Sequence, residues 1–270
     1  MRVVFRRWPL YARTAFALGW ADFTLKYRGS VLGYFWSFVG PLAKFIVIFH
    51  VFHPFVAGDI PLYALYLFLG IIVWEFFAGT TIAISSLPIQ KGPLMQRVAL
   101  PRITLALAAL WTQCIIFLTH FAIFIGFAVV AGVRPTLLAL CYVPVLFVLT
   151  TALGGGVGLL LGSYVLRYRD IVHLWSVLLQ VLFWLTPVMY KPSERALAFS
   201  AFSFGEALSA FVRFQPLSMV LADFRGVTLY AAEWSPSLLR VLGVGAVCLG
   251  IFALGAAVFH RRSAYFLQEY

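Results

Sequence analysis

Leu62-Tyr-Ala-Leu-Tyr-Leu-Phe-Leu-Gly-Ile-Ile-Val-Trp-Glu-Phe-Phe-Ala-Gly-Thr-Thr-Ile-Ala-Ile-Ser-Ser86 carries a single charge, Glu75, along its whole length. An apolar run of about 20 residues is long enough to cross a bilayer as a helix. In hydrocarbon every backbone N–H and C=O must find a partner inside the protein, so such a run becomes a spanning helix. Working outward, Val31–Val56 precedes it with the same character. Ile103–Val130, Leu137–Leu166, Ile171–Tyr190 and Leu238–Phe259 follow. The expected fold is all-α and polytopic, with six transmembrane helices. Composition agrees: mean hydropathy is +0.98, 63% of residues are hydrophobic and 11% are charged, against roughly 25% charged in soluble domains.

The net charge of +11 would suit nucleic acid, but its placement argues for a membrane instead. Arg2, Arg6, Arg7, Arg13, Lys26 and Arg28 precede the first span. Lys91, Arg97 and Arg102 lie between spans 2 and 3. Arg167 and Arg169 lie between spans 4 and 5, and Arg261 and Arg262 follow span 6. The short breaks on the opposite side hold only Arg134. By the positive-inside rule both termini are expected in the cytoplasm. No uninterrupted apolar core of a cleavable signal precedes span 1, so that span is expected to serve as the insertion signal. Residues 1–30 then form a cytoplasmic segment, 31–259 the membrane domain and 260–270 a cytoplasmic tail.

Ala12, Phe16, Trp20, Phe23 and Tyr27 recur at helical spacing. They predict an amphipathic helix that lies in the membrane interface, or on the protein's own cytoplasmic surface, or both. The break at Ile89–Leu100 is punctuated by Pro and Gly and reads as a connector or as a short helix for a partner's groove. Gly154, Gly158 and Gly162 in span 4 let another helix approach closely, and Gly243, Ala246 and Gly250 in span 6 are a weaker version. Lys191–Ser237 is too long for a simple connection. Its aromatic runs, Leu197–Phe204 and Ala207–Phe214, suggest helices that dip into the outer leaflet without crossing it.

Several chemistries have no sequence basis. There is no GxxxxGK[ST], so no P-loop, and no HExxH. The nearest two carboxylates in sequence, Asp223 and Glu233, are too far apart for a DxD or DDxxD magnesium motif. Cys114, Cys141 and Cys248 stand singly in apolar spans and form no CxxC pair. His50 and His53 share a helix face near the outer end of span 1. They read as interfacial histidines before they read as metal ligands, and no metal site is expected.

Two charges do fall inside spans. Lys44 and Glu75 lie about halfway along neighbouring antiparallel helices, where ionisable groups are costly. They read either as an ion pair or as a wet path on which Lys44 meets an anionic substrate. Two aromatic stripes accompany them: Tyr34, Phe38, Phe45, Phe49 and Phe52 on span 1, and Trp175, Phe183 and Tyr190 on span 5, with Trp184 beside them. Such stripes face lipid, pack between helices, or stack on the apolar faces of sugar rings.

The order of several short motifs resembles the permease subunits of ABC-2 type exporters, in particular those that move O-antigen, capsule and teichoic-acid polymers. The motifs are Leu25-Lys-Tyr-Arg-Gly-Ser-Val-Leu-Gly-Tyr-Phe-Trp-Ser37, Gly70-Ile-Ile-Val-Trp-Glu-Phe-Phe77, Val98-Ala-Leu-Pro-Arg102, Arg167-Tyr-Arg-Asp-Ile171, Thr186-Pro-Val-Met-Tyr190 and Gln215-Pro-Leu217. Arg225 and Tyr265-Phe266 complete the series. Val73 stands where a proline is common in the family, Glu75 where an apolar or amide residue is usual, and Gln215 where Asn is usual.

The resemblance implies a second copy of the chain and two copies of a separate ATPase that binds ATP and magnesium, with no cofactor in this chain and no enzyme activity of its own. It implies that Gln90, Lys91, Leu94, Met95, Arg97 and Val98 couple to that ATPase. Spans 1 and 5 would line the channel, and the external segment would cap its outer mouth. Lys26, Arg28 and Arg169 would meet the phosphates of a lipid-linked glycan at a bacterial inner membrane. Three rivals remain: export of a smaller amphiphile such as a drug or lipo-oligosaccharide, an integral-membrane glycosyl- or phosphotransferase, and a proton-coupled transporter using Glu75.

Overall fold

The computed structural model describes residues 8–30, 33–56, 60–91, 101–134, 136–191, 205–235 and 237–262. The described residues are helical, with no strand among them. In chain order the helices are α1 (Trp8–Tyr27), α2 (Trp36–Val56, entered by a 3-10 turn at Gly33–Phe35), α3 (Tyr63–Ser85), α4 (Leu87–Gln90) and α5 (Arg102–Val130). They continue with α6 (Leu137–Gly162), α7 (Ile171–Leu185), α8 (Gly205–Phe214), α9 (Pro216–Leu229) and α10 (Leu238–Arg262).

Five helical segments are long and apolar enough to cross a membrane: Gly33–Phe55, Tyr63–Ser85, Arg102–Val130, Leu137–Gly162 and Leu238–Arg262. The fold is therefore all-α and polytopic, as the sequence predicts. Two expected spans are shorter than predicted. The helix expected over Leu137–Leu166 ends at Gly162. The one expected over Ile171–Tyr190 ends at Leu185 and has 15 residues, or about 22 Å at 1.5 Å per residue, less than the ~30 Å of hydrocarbon. Pro187 accounts for the early stop. The residue before a proline is pushed out of the helical region, and Thr186 is extended, with φ −71° and ψ 135°.

α3 is the hub. It touches α2, α5, α6, α7 and α9, so it is apolar on every face. Leu67, Leu69, Ile71 and Val73 are fully buried. By contrast α2 and α10 turn large apolar side chains outward: Phe55 is 80% exposed and Leu239 82%. Water is a poor solvent for such a surface, and lipid or another apolar surface suits it.

Glycine decides which helices meet. A Cβ at Gly158 would sit 2.9 Å from Ile84 Cβ, and one at Gly154 3.2 Å from Thr80. Gly162 faces Ile84 O at 3.2 Å. The predicted stripe thus seats α6 on α3. A second glycine face, absent from the sequence reading, seats α6 on α10: a Cβ at Gly156 would lie 2.7 Å from Ile251 C and O, and Gly255 packs directly on Gly156. Gly243 and Gly250, the pair read as the packing device of α10, have open space around them.

α1 packs on α5 through its small residues. Ala15 is fully buried, a Cβ at Gly19 would lie 2.7 Å from Ala108 O, and Thr112 Oγ1 donates to Gly19 O at 3.0 Å. The aromatic edge is only half covered, with Phe16 48% and Trp20 53% exposed. The closest approach is therefore made by small residues, with the Phe16 ring beside them, edge-on to Trp111 of α5 at 5.4 Å. The external helix expected at Leu197–Phe204 and the motifs at Val98–Leu100 and Tyr265-Phe266 lie outside the described residues.

Candidate functional site

Lys44 on α2 forms an ion pair with Glu75 on α3. Its Nζ also lies 5.1 Å from the centroid of the Phe183 ring on α7. Phe183 is buried, edge-on to Trp74 at 5.6 Å and to Trp184 at 5.7 Å. Trp184 in turn lies 6.2 Å from Phe52. The aromatic sides of α2 and α7 therefore meet at Phe52–Trp184 and at Lys44–Phe183, with the Lys44–Glu75 pair at the junction. Both charged side chains keep about a third of their surface exposed, 39% for Lys44 and 33% for Glu75.

The rest of the α2 stripe bridges to α3. Phe38 and Phe45 meet Phe68 at 5.9 and 5.4 Å. Phe45 stacks on Phe49 at 5.5 Å, and Phe49 faces Tyr63 at 6.0 Å. Tyr34 contacts Thr119 on α5 and lies 5.1 Å from Phe23 on α1. On α7, Trp175 Nε1 donates to Thr81 Oγ1 at 2.9 Å, and Trp184 is 54% exposed.

Tyr190 has a different setting. It is 4% exposed. Its hydroxyl turns back to donate to Leu185 O at 2.7 Å, satisfying an orphan carbonyl at the end of α7. Its own carbonyl accepts from the Tyr66 hydroxyl at 2.9 Å. Gln215 Nε2 donates to Thr186 Oγ1 at 3.1 Å and ties α9 to the same turn.

At the end of the bundle where α1 and α4 lie, a cavity of about 640 Å³ opens between α1, α2, α3 and α5. Asp22 and Lys91 form an ion pair at its mouth, beside Lys26 and Gln90. Glu75 stands at its inner end. Arg28 and Arg169 are exposed, lie in turns, and are not among the residues lining it. Leu94, Met95, Arg97 and Val98 lie outside the described residues.

Sequence reading matched Arg225 to a motif and missed what it does. It is 4% exposed. It donates to Tyr66 O from Nε and Nη2 at 3.2 and 3.1 Å, to Pro187 O at 2.6 Å and to Val188 O at 2.5 Å. Asp223, two residues earlier on the same helix, is paired with Arg240 of α10 at 3.0 Å. Two charges in an otherwise apolar helix were the signal available in the sequence. Beside them the Tyr230 hydroxyl donates to Pro61 O at 2.6 Å, and burial pushes its pKa up to about 12. At the far end of α2, His50 donates from Nδ1 to Ile46 O at 2.8 Å, and His53 lies 4.7 Å from the Phe49 ring. Among the described residues no group of three or more His, Cys, Asp or Glu side chains is placed to hold a metal.

Comparison with known proteins adds the family context. The family model described as ABC-2 type transporter matches residues 13–202, most of the chain. A Klebsiella pneumoniae protein named O-antigen export system permease protein RfbA is 24% identical over 204 residues, covering 76% of this chain and 75% of that one. A protein of the same name from Myxococcus xanthus is 22% identical over 244 residues, covering 90% of each.

Proposed function

The chain belongs to the ABC-2 type transporter membrane family, and from that premise we propose that it is the permease subunit of an exporter that moves a polysaccharide, of O-antigen type, out of the cytoplasm. It is a multi-pass membrane protein and a transporter subunit rather than an enzyme, of a family that works with an ATP-binding partner. One observation carries the reading of the cargo. Relatives aligned over 75 to 90% of their own length are O-antigen export permeases by name.

In this reading two copies of the chain assemble with two copies of an ATPase at a bacterial inner membrane, with both termini in the cytoplasm. The segment from Gln90 and Lys91 through Val98 seats on the ATPase. α2 and α7 of each copy face the channel. There the rings of Phe45, Phe52, Phe183 and Trp184 offer apolar planes to passing sugars, while the Lys44–Glu75 pair keeps the middle of the path wet. Phe38 and Tyr190, buried in the single chain, serve as the wall behind that surface. The phosphates of the lipid carrier meet Lys26, Arg28 and Arg169 at the cytoplasmic interface.

Two measurements test this. Deleting the gene is expected to abolish surface polysaccharide, and restoring it to recover the polymer. The permease and its ATPase, purified together into vesicles, are expected to move lipid-linked glycan only with ATP. ATP cleavage by the isolated chain, or transport without its companion, overturns the proposal.

A further inference from the structure

Helix packing leaves the 640 Å³ cavity between α1, α2, α3 and α5 unexplained. Its volume lies within the range of small-ligand sites, about 300–1,000 Å³. Half of its lining residues are polar, in a chain that is 63% hydrophobic. The inner wall is built from facing turns. Glu75 and Gly79 lie one turn apart on α3, opposite Gln113 and His120 on α5. Gly79 makes the room: a Cβ there would sit 2.8 Å from Gln113 Oε1.

These polar groups have few protein partners. Only one oxygen of Glu75 reaches Lys44. Among the described residues the Gln113 amide has no hydrogen-bond partner, and His120 reaches only Ser37 Oγ, at 3.4 Å. Pro41, also on the wall, has no N–H, so the carbonyl of Ser37 lacks the donor a helix would supply. Polar atoms at this depth in a membrane protein need water or a polar ligand.

The lining selects the ligand class. Acids and lysines both face the cavity, so neither a free anion nor a free cation is favoured. Carboxylate, amide, imidazole and hydroxyl groups together donate and accept, which suits a neutral polyol. Phe76 and Phe117 supply apolar surface for a ring face. We infer that this cavity is a holding site for one or two sugar residues of the glycan, occupied before they reach the junction of α2 and α7. The inference rests on the polysaccharide reading above and deepens it.

The test uses the complete permease–ATPase complex in lipid nanodiscs. It is titrated with a polyprenyl-diphosphate-linked disaccharide of the host's surface glycan, and with polyprenyl diphosphate alone. The natural chain is expected to hold the glycosylated lipid roughly tenfold more tightly, the equivalent of one or two net hydrogen bonds. Gln113→Leu and Gly79→Ala are each expected to cut that preference below about twofold, with binding of the bare lipid unchanged. Gln113→Asn, a milder change that shortens the amide's reach, is expected to lower it as well. Assembly is checked by co-purification with the ATPase. An unchanged preference in assembled variants overturns the inference, as does equal binding of both lipids by the natural chain. The cargo reading fails by a separate route, if deleting the gene leaves surface polysaccharide intact.

Discussion

Arg225 stacks on Tyr66, its guanidinium carbon 3.4 Å from the ring centroid, and also hydrogen-bonds the carbonyl of that same residue. With its bonds to Pro187 and Val188, one side chain joins α9, α3 and the turn after α7. The turn breaks a helix inside the bundle, and the fork of donors satisfies carbonyls that the break leaves orphaned. The irregular backbone after α7 is thereby packed and bonded within the protein.

Arg225→Met is therefore expected to leave three buried carbonyls under-bonded and to destabilise the fold by about 3 kcal/mol or more. Arg225→Lys is expected to rescue little of this, because one ammonium nitrogen cannot span carbonyls that the guanidinium reaches from three separate nitrogens. Thermal unfolding in detergent measures both. A melting temperature for either variant within a degree of the natural chain's would refute the stapling role.

Lys44→Met leaves Glu75 unpaired. The expected cost is about 1–3 kcal/mol, below the roughly 3–5 kcal/mol of a fully buried pair because both side chains stay about a third exposed. The double variant Lys44→Met/Glu75→Gln is expected to recover most of the stability without recovering export. Full export by a well-folded Lys44→Met chain would remove any role for that lysine on the path.

Phe183 and Trp184 separate packing from transport. Phe183→Ala empties a buried position and is expected to cost about 3 kcal/mol. Trp184→Ala removes a ring that is 54% exposed and is expected to change stability by less than about 1 kcal/mol, yet to lower surface polymer. Phe45→Ala is expected to lower both. Normal polymer in all three variants would end the case for an aromatic path.

Gly156 and Gly250 make a paired test of the helix crossing. Gly156→Leu drives a side chain into the backbone of α10, 2.7 Å from where its Cβ begins. It is expected to abolish folded protein, or to cost well over the ~1–3 kcal/mol of ordinary overpacking. Gly250→Ala enters open space and is expected to shift stability by no more than about 0.5 kcal/mol. The yield of monodisperse protein reads the contrast, and equal yields would disprove the crossing.

Local features carried far in this chain. The apolar spans and the helices were legible because each depends on residues near one another in sequence, and the pairing of Lys44 with Glu75 was one of two readings their matching positions offered. The glycine stripe on α6 was legible for the same reason, since its spacing names a face. Its partner was not: spacing cannot say whether α3 or α10 comes close, and it singled out Gly243 and Gly250 where Gly255 makes the contact. The end of α7 was misjudged because hydropathy runs on through Pro187 while the backbone cannot.

Hydrophobicity is summed along the chain, so the sequence by itself determined the apolar solvent and the helical class, and five of the six segments it marked as spans are long enough to cross. The family resemblance lay there too, in the order of short motifs. Tertiary structure alone decided that Glu75, Gln113 and His120 line one cavity, that Phe183 lies by Lys44, and that Arg225 closes a broken helix. Those contacts join residues far apart in the chain, and they depend on how closely two backbones approach, which three-dimensional packing sets.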